Sequence, residues 1–454
     1  MLEPARVERL FRLLRHRPVV ATLAQVCREV GGVEAHLVGG LLRDRLLGVP
    51  SRDYDAIVSH LGREVAAGVA ERMGAHLVHL GGKDFAAYRV VGAGGDDWVL
   101  DLWDREQTSL AADLARRDFT VNSFALALAS EAPAGGRLID PHGGVDDLGR
   151  RLLRATTETS FAGDPLRVLR LPRLLVQLPG FAAEPATLEL ARRWAAGLAG
   201  VASERVREEL VLVFQRHGCH RAFGLLHALA VYPGLWRGEP GVAASPAGDR
   251  RAGRALLELE RLEPAIGELT ARAAAAAAGA PAVDRLAARY AATFRHLPRD
   301  EGSAGERTAA AVAAVDGFRD AGYLTRNLAD RVRRLVAEPA LPADDDRERR
   351  RYLHRLGELW PTAVALAGAR AGAGTGEGDA WRRAAGALVA LAGAGGAAIL
   401  TPPRLLSGDE VQRLLDIPPG PRVGEALSAV RRAQVDGDVE TREDAEALLR
   451  RRFG

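Results

Sequence analysis

Two aspartates one residue apart, Asp53 and Asp55, follow the segment Gly39-Gly40-Leu41-Leu42-Arg43-Asp44. A strand-like run from Tyr54 to Val58 puts residues i and i+2 on one side, so both carboxylates face a single site. Hard oxygen ligands of this kind suit Mg2+ shared with a triphosphate. The Gly-Gly pair ends the β-like His36-Leu37-Val38 and opens a helical pattern, a turn that lets phosphate meet backbone amides. Arg43, in the first turn of that helix, adds a charged contact. Each motif alone has a plainer reading, a tight turn and a solvated strand edge. Their order is what points to metal-assisted chemistry on a nucleotide. Asp101, within Val99-Leu100-Asp101-Leu102-Trp103-Asp104, is the natural third carboxylate of a two-metal site. It is preferred to Asp104 because a charge inside an apolar strand needs a partner. The plainer alternative is a sheet-edge aspartate.

These residues need a scaffold of strands and helices. β-like runs at 36–38, 54–58, 76–80, 88–91 and 98–102 are punctuated by glycines at 31–32, 39–40, 81–82 and 92–95. Helical patterns intervene at 41–48, 61–73 and 118–129, and another covers 3–31. Strands mixed with helices indicate a small α/β domain. After Asp147 the strand signals fade, and 164–178, 185–198, 203–216 and 220–230 read as helices. The stretch 250–400 is mostly helical, with Ala-rich tracts at 271–280 and 364–398, and 401–454 reads as a small helical tail. The run Asp344 to Arg351 reads as a solvated helix start whose arginines could reach phosphates.

At 454 residues the chain exceeds one compact core, and about two to four domains are expected. Its 62 basic and 59 acidic residues leave a net charge of +3, which permits a nucleic-acid partner without demanding one. Lys83 is the only lysine, so the positive charge is carried by arginine. Cys27 and Cys219 are far apart in sequence and suggest neither a disulfide framework nor a zinc site, which suits a reducing cytoplasm. The N-terminus has the arginines of an amphipathic helix and lacks a signal-peptide core. The longest uncharged run, Ala384 to Leu400, falls short of the ~20 residues that span a bilayer.

A second constellation is Arg116-Arg117-Asp118-Phe119-Thr120-Val121-Asn122. Alone it reads as a salt-bridged cap opening the helix 118–129. Taken together, Gly-Gly-x-x-Arg-Asp, Asp-x-Asp and Arg-Arg-Asp-Phe-Thr-x-Asn resemble the signature of the bacterial class II tRNA nucleotidyltransferase (CCA-adding enzyme) and poly(A) polymerase family. Asp140-Pro-His-Gly-Gly-Val-Asp-Asp-Leu resembles that family's turn out of the catalytic head. Asp164-Pro-Leu-Arg-Val-Leu-Arg and Glu204-Arg-Val-Arg-Glu-Glu-Leu resemble its neck motifs. The likeness covers roughly 33–236, with a weaker one over 404–454. It implies an α/β nucleotidyltransferase head, a small mixed sheet with helices, followed by all-α neck, body and tail domains. The expected divisions are an N-terminal helical extension (1–32), head (33–150), neck (151–236), body (237–400) and RNA-binding tail (401–454).

The resemblance implies template-independent addition of C and/or A to the 3′ end of tRNA, or another RNA, from CTP and ATP. Mg2+ on Asp53 and Asp55 would be the cofactor, with Asp101 as a further catalytic carboxylate. Gly40, Arg43, Arg117, Asp118, Asp164, Arg167, Arg170 and Arg173 would contact nucleotide, Asp118 through the ribose hydroxyl. Asp164 and Arg167 are i and i+3, hence on one face of a helix. A carboxylate and a guanidinium fit the amine and acceptor nitrogen that cytosine and adenine share and that guanine and uracil lack. The plainer reading is an intrahelical ion pair. Two positions depart from the family pattern. Gly163 replaces an acidic residue, and Pro172 falls where a kink or break of the helix is expected. The chain has no His-Asp dipeptide, so the phosphohydrolase activity of some relatives is not expected. His217, His220, His227, His296 and His354 read as ordinary helix or surface residues. The motifs leave CCA, CC-only, A-only and poly(A) addition open, as well as a non-catalytic RNA-binding relative. No membrane and no obligatory protein partner are implied, and the expected location is the cytoplasm.

Overall fold

The computed structural model describes residues 4–80, 87–92, 98–105, 108–128, 138–235, 246–276, 278–279, 281–296, 302–338, 340–342 and 344–454. Lys83 and the glycines at 81–82 and 94–95 lie outside these. The chain forms two compact units, Met1–Val201 and Ala202–Gly454.

The N-terminal unit is built on a seven-stranded sheet in the order β3-β4-β5-β2-β1-β6-β7. The strands are β1 (Ala35–Val38), β2 (Asp53–Val58), β3 (His76–Leu80), β4 (Ala87–Val91), β5 (Val99–Asp104), β6 (Ala125–Ala127) and β7 (Leu138–Ile139). Within this sheet, among the described residues, only β2 and β5 pair in parallel, and every other neighbouring pair is antiparallel. The helices are α1 (Pro4–Arg15), α2 (Pro18–Glu29), α3 (Gly40–Leu46), α4 (Gly62–Met73), α5 (Leu110–Ala115), α6 (Gly144–Arg150), α7 (Ser160–Gly163), α8 (Arg167–Gln177) and α9 (Pro185–Trp194). The helical pattern over 3–31 resolves into α1 and α2, because Pro18 starts a new helix at its first position.

The expected helix 118–129 does not form. A 3-10 turn at Thr120–Asn122 leads into β6, which pairs with β1. Contacts around Phe119 account for this. The Asp118 carboxylate accepts from the Phe119 N–H at 2.8 Å, and the Thr120 N–H donates to the Arg154 carbonyl at 2.9 Å. Phe119 between them is extended and bridges Ala155, so no helix starts at Asp118. The helical element lies earlier, as α5, capped by the Ser109 hydroxyl.

The head's exit motif acts as a clasp. Both Asp140 carboxylate oxygens accept amides at the start of α6, from Gly144 at 2.8 Å and Val145 at 2.9 Å. Asp147, buried, takes the Thr120 hydroxyl at 2.6 Å and both arms of Arg154. Thr120 and α6 approach so closely that a Cβ on Gly144 would run into the Thr120 carbonyl.

The regular elements described in the C-terminal unit are all helices. Its last part has its own core, in which Leu406, Val411, Val423, Val430, Ala445 and Leu449 pack together. The helix Asp346–Leu356 starts in solvent, and two of its exposed arginines pair with carboxylates. Arg347 meets Asp438 at 2.7 Å, and Arg351 grips both oxygens of Asp436 at 2.6 Å. The helix Gly376–Leu400 is long and apolar enough, by length and composition, to cross a bilayer. In the unit it packs through Trp381, Ala385, Leu388 and Val389, and Arg382 pairs with Glu268.

Two glycines separate packing from chance. Gly144→Ala should cost about 2–4 kcal/mol, since a backbone carbonyl cannot yield as a side chain does. Gly163, where a Cβ meets nothing within 4 Å, should tolerate alanine within about 0.5 kcal/mol. Urea unfolding of the two variants checks this, and equal effects would contradict the clasp.

Candidate active site

Residues paired across neighbouring strands point to the same face. Asp55 pairs with Val38 on one side and Asp101 on the other, and Asp101 pairs with Arg89. Asp53, Asp55, Asp101 and Arg89 therefore share one face of the sheet. Further along that face Val38, Ile57, Ala125 and Trp103 pack against Leu110 and Leu114 of α5. The helix covers the apolar half of the face, and the acidic half lies beyond it. Gly39 closes one edge. Its φ of +76° favours glycine, and a Cβ there would stand 2.5 Å from an Asp55 carboxylate oxygen.

Burial pushes the Asp55 carboxyl up to about 6, with Asp101 and Asp53 adding to the rise and Arg117 and Arg170 opposing it. Arg117 reaches this region from the end of α5, its guanidinium 5.7 Å from the Trp103 ring centre and 3.3 Å from Asp113. Asp101 has the partner that its apolar strand demands. Arg89 donates to both of its carboxylate oxygens at 2.7 Å. Among the described residues no group of three or more His, Cys, Asp or Glu is arranged to hold a metal. The chain thus offers Asp53 and Asp55 as a two-carboxylate donor set, with Asp101 turned to Arg89. That set fits a hard cation that keeps water and phosphate oxygens as its other ligands.

Behind this floor runs a buried polar chain. Arg43, 4% exposed, does not extend into solvent. It donates to Asp44 and, through Nη1, to the Asn122 side-chain oxygen, each at 2.7 Å. The Asn122 amide donates to Asp118 at 3.0 Å, and the other Asp118 oxygen pairs with Arg170 of α8 at 2.9 Å. Burial alone would raise the Asp118 carboxyl. Arg170, Asn122, the Phe119 N–H and Arg167 outweigh it and hold the group below its ordinary value.

On the α8 side the expected geometry changes. Asp164 is not on the helix. It sits extended before α8, its carboxylate accepting from the Leu166 N–H at 3.2 Å. The shared helical face inferred from i, i+3 spacing therefore does not hold. Arg167 is the first residue of α8 and donates to the carbonyls of Ser160 at 2.8 Å, Arg117 at 3.4 Å and Arg116. Arg170 and Arg173 follow at helical spacing. Pro172 does not break the helix, which continues to Gln177.

Residues 35–154 match the family model described as the poly A polymerase head domain. The chain is 31% identical to the CC-adding tRNA nucleotidyltransferase of Geobacter sulfurreducens, covering 95% of each protein. The chain belongs to the tRNA nucleotidyltransferase family. Members of this family are enzymes that transfer C or A nucleotides to tRNA, and this chain is a nucleotidyltransferase of that kind. It is 33% identical to the A-adding tRNA nucleotidyltransferase of Deinococcus radiodurans over 92% of this chain and 95% of that one. The fold matches a CCA-adding enzyme complexed with ATP, TM-score 0.67 at 22% identity, covering 98% and 96% of the two chains. It also matches the Thermotoga maritima CCA-adding enzyme complexed with tRNA, TM-score 0.61 at 22% identity, covering 98% of each.

Sequence reasoning named Asn122 only within its motif and missed it as a site residue. It also missed Arg89 and the Asp147 clasp. An alternation count on β4 leaves Arg89 as an isolated charge on the same face as Val91, which was the available signal.

Two outcomes are expected for this tRNA nucleotidyltransferase. The folded Asp55 value, about 6, lies above its ordinary 3.8. Its contribution to stability is complete below pH 3.8 and is lost as pH rises through 6. Asp55→Asn removes that loss, so in EDTA the variant should gain about 1–3 kcal/mol on wild type between pH 4 and 7. A pH-independent difference would contradict the burial. Asp118→Ala leaves Arg170 and Asn122 facing a gap and should cost about 3–5 kcal/mol. Urea unfolding reads this, and a cost below about 1 kcal/mol would mean the pair behaves as a surface contact.

Proposed function

We propose that Asp53 and Asp55 hold Mg2+ and that this site adds C, A or both to the 3′ end of tRNA from CTP and ATP. The observation that carries the reading is the pair of carboxylates on one open sheet face, with Arg117 beside them. When bound, the ion would lower the pKa of the RNA 3′-hydroxyl and balance triphosphate charge. The 3′-oxygen attacks the α-phosphorus, the bond to the bridging oxygen breaks, and pyrophosphate leaves. Arg117 stabilises charge on the transferred phosphate. Gly39 keeps Asp55 close to the backbone turn, and Gly40 opens that turn to the nucleotide. Arg89 holds Asp101 in place as the third carboxylate of the face.

Asp118, Asp164, Arg167, Arg170 and Arg173 form the proposed nucleotide-recognition side, Asp118 through the ribose hydroxyl. Selection of cytosine and adenine by Asp164 and Arg167 requires Arg167 to exchange carbonyl partners for the base edge. Arg43, buried against Asn122, supports the turn as well as facing phosphate. The proposed organisation is the head over 33–150, neck over 151–236, body over 237–400 and RNA-binding tail over 401–454, preceded by the extension 1–32. A cytoplasmic location fits the two cysteines, both buried and free.

The test is extension of three tRNA primers ending before CCA, after C and after CC, each with single NTPs and Mg2+. CMP or AMP incorporation on at least one primer, and none of GMP or UMP, is expected. The primer used separates CC-adding, A-adding and full CCA addition. No incorporation on any primer would sink the proposal, and long A tracts on unstructured RNA would replace it with poly(A) synthesis.

A further inference from the structure

A cavity of about 630 Å3 opens where α1 meets the far end of α3. Arg9, Arg17 and Arg45 line it, with Leu10, Leu13 and Val49. No carboxylate stands among its described lining residues. Leu13 is 60% and Val49 48% exposed, which makes them two of the few large apolar side chains left in solvent. Arg45 is anchored by donating to the Ser51 carbonyl at 2.7 Å, and its buried Nε has no acceptor among the described residues. Arg9 and Arg17 are exposed, with no ion-pair partner among the described residues.

Three guanidiniums with no counter-charge among the described residues make an anion site, and their planar forks suit phosphate. The apolar side chains beside them offer a surface for a flat ring. The volume is that of a site for a small organic molecule, a size that includes one nucleotide. Position narrows the class further. α3 has seven residues, so it is about 10 Å long. Its first residue belongs to the turn beside Asp55, and the cavity lies at its other end. A polyanion with its 3′ end at Asp55 has neighbouring phosphates within that reach. An acidic peptide would find the same arginines but has no such reason to be there.

We propose that this cavity is a second RNA site, seating one nucleotide of the substrate strand. Its phosphate lies on Arg9, Arg17 and Arg45 and its base against Leu13 and Val49. The inference rests on the reading that the substrate is an RNA 3′ end.

The experiment compares wild type, the double variant Arg9→Glu/Arg17→Glu, and Leu13→Ser. Binding of a tRNA lacking CCA is followed by fluorescence anisotropy across a salt series, alongside steady-state extension of the same tRNA. The double variant should bind at least tenfold more weakly and lose about 2 from the slope of log K against log salt. KM for tRNA should rise to match, while kcat and KM for the NTP stay put. Leu13→Ser should weaken binding about threefold with the slope unchanged. All three side chains are exposed, so the thermal midpoint should not move. Wild-type affinity and slope in both variants would overturn the proposal. So would displacement of the RNA from this site by free CTP or ATP, which would make it a mononucleotide site. Failure of the wild type to extend this tRNA and also the primers ending after C and after CC is a separate result, and it overturns the underlying function and the site with it.

Discussion

The buried Asp118 carboxylate is the point on which the N-terminal unit turns. It accepts from its own neighbour's N–H, from Asn122 and from Arg170. A lone charge buried in protein is heavily penalised, so these partners are obligatory. Because they come from the 3-10 turn and from α8, satisfying one carboxylate fixes one segment against the other. Asn122 then passes the constraint to Arg43 and so to the Gly-Gly turn. Arg167, tied to the carbonyls of Arg116 and Arg117, repeats the connection a few residues away. The geometry of the carboxylate floor therefore depends on α8, although α8 contributes no strand to it.

The acidic floor itself works against folding. Asp53, Asp55 and Asp101 repel one another, and Asp55 is pushed up to about 6 by burial and that repulsion. Arg89, Arg117 and Arg170 limit the cost without filling the site. Such a collection is unfavourable in the free protein, and on the proposed function it becomes favourable once a cation and a triphosphate share it, as expected where stability is traded for function.

Much of this was legible in the sequence, for physical reasons specific to each element. β1 to β5 carried short β-like apolar runs and glycine punctuation, and the structure has them within a residue or two of expectation. Asp53 and Asp55 share a face because strand geometry leaves no alternative. The expected helix 118–129 failed where Phe119 is held extended against Ala155, a tertiary effect that periodicity cannot register. Asp164 and Arg167 failed as a helical pair for a related reason. An aspartate before a proline favours an extended backbone, so the helix starts after it. Pro172 persisted because a helix locked by buried Leu171 and Leu174 tolerates one missing hydrogen bond. Partner choice across strands, as for Arg89 with Asp101, requires the register, which one sequence does not display.

The central claim is that Asp53 and Asp55 perform the transfer while the buried chain behind them supplies position. Single-turnover transfer to a tRNA primer by the Asp53→Ala/Asp55→Ala variant, with tRNA affinity measured in parallel, tests it most directly. The rate should fall by at least about 10³-fold, with tRNA affinity within about twofold of wild type. A double variant that transfers nucleotide at the wild-type rate would contradict it.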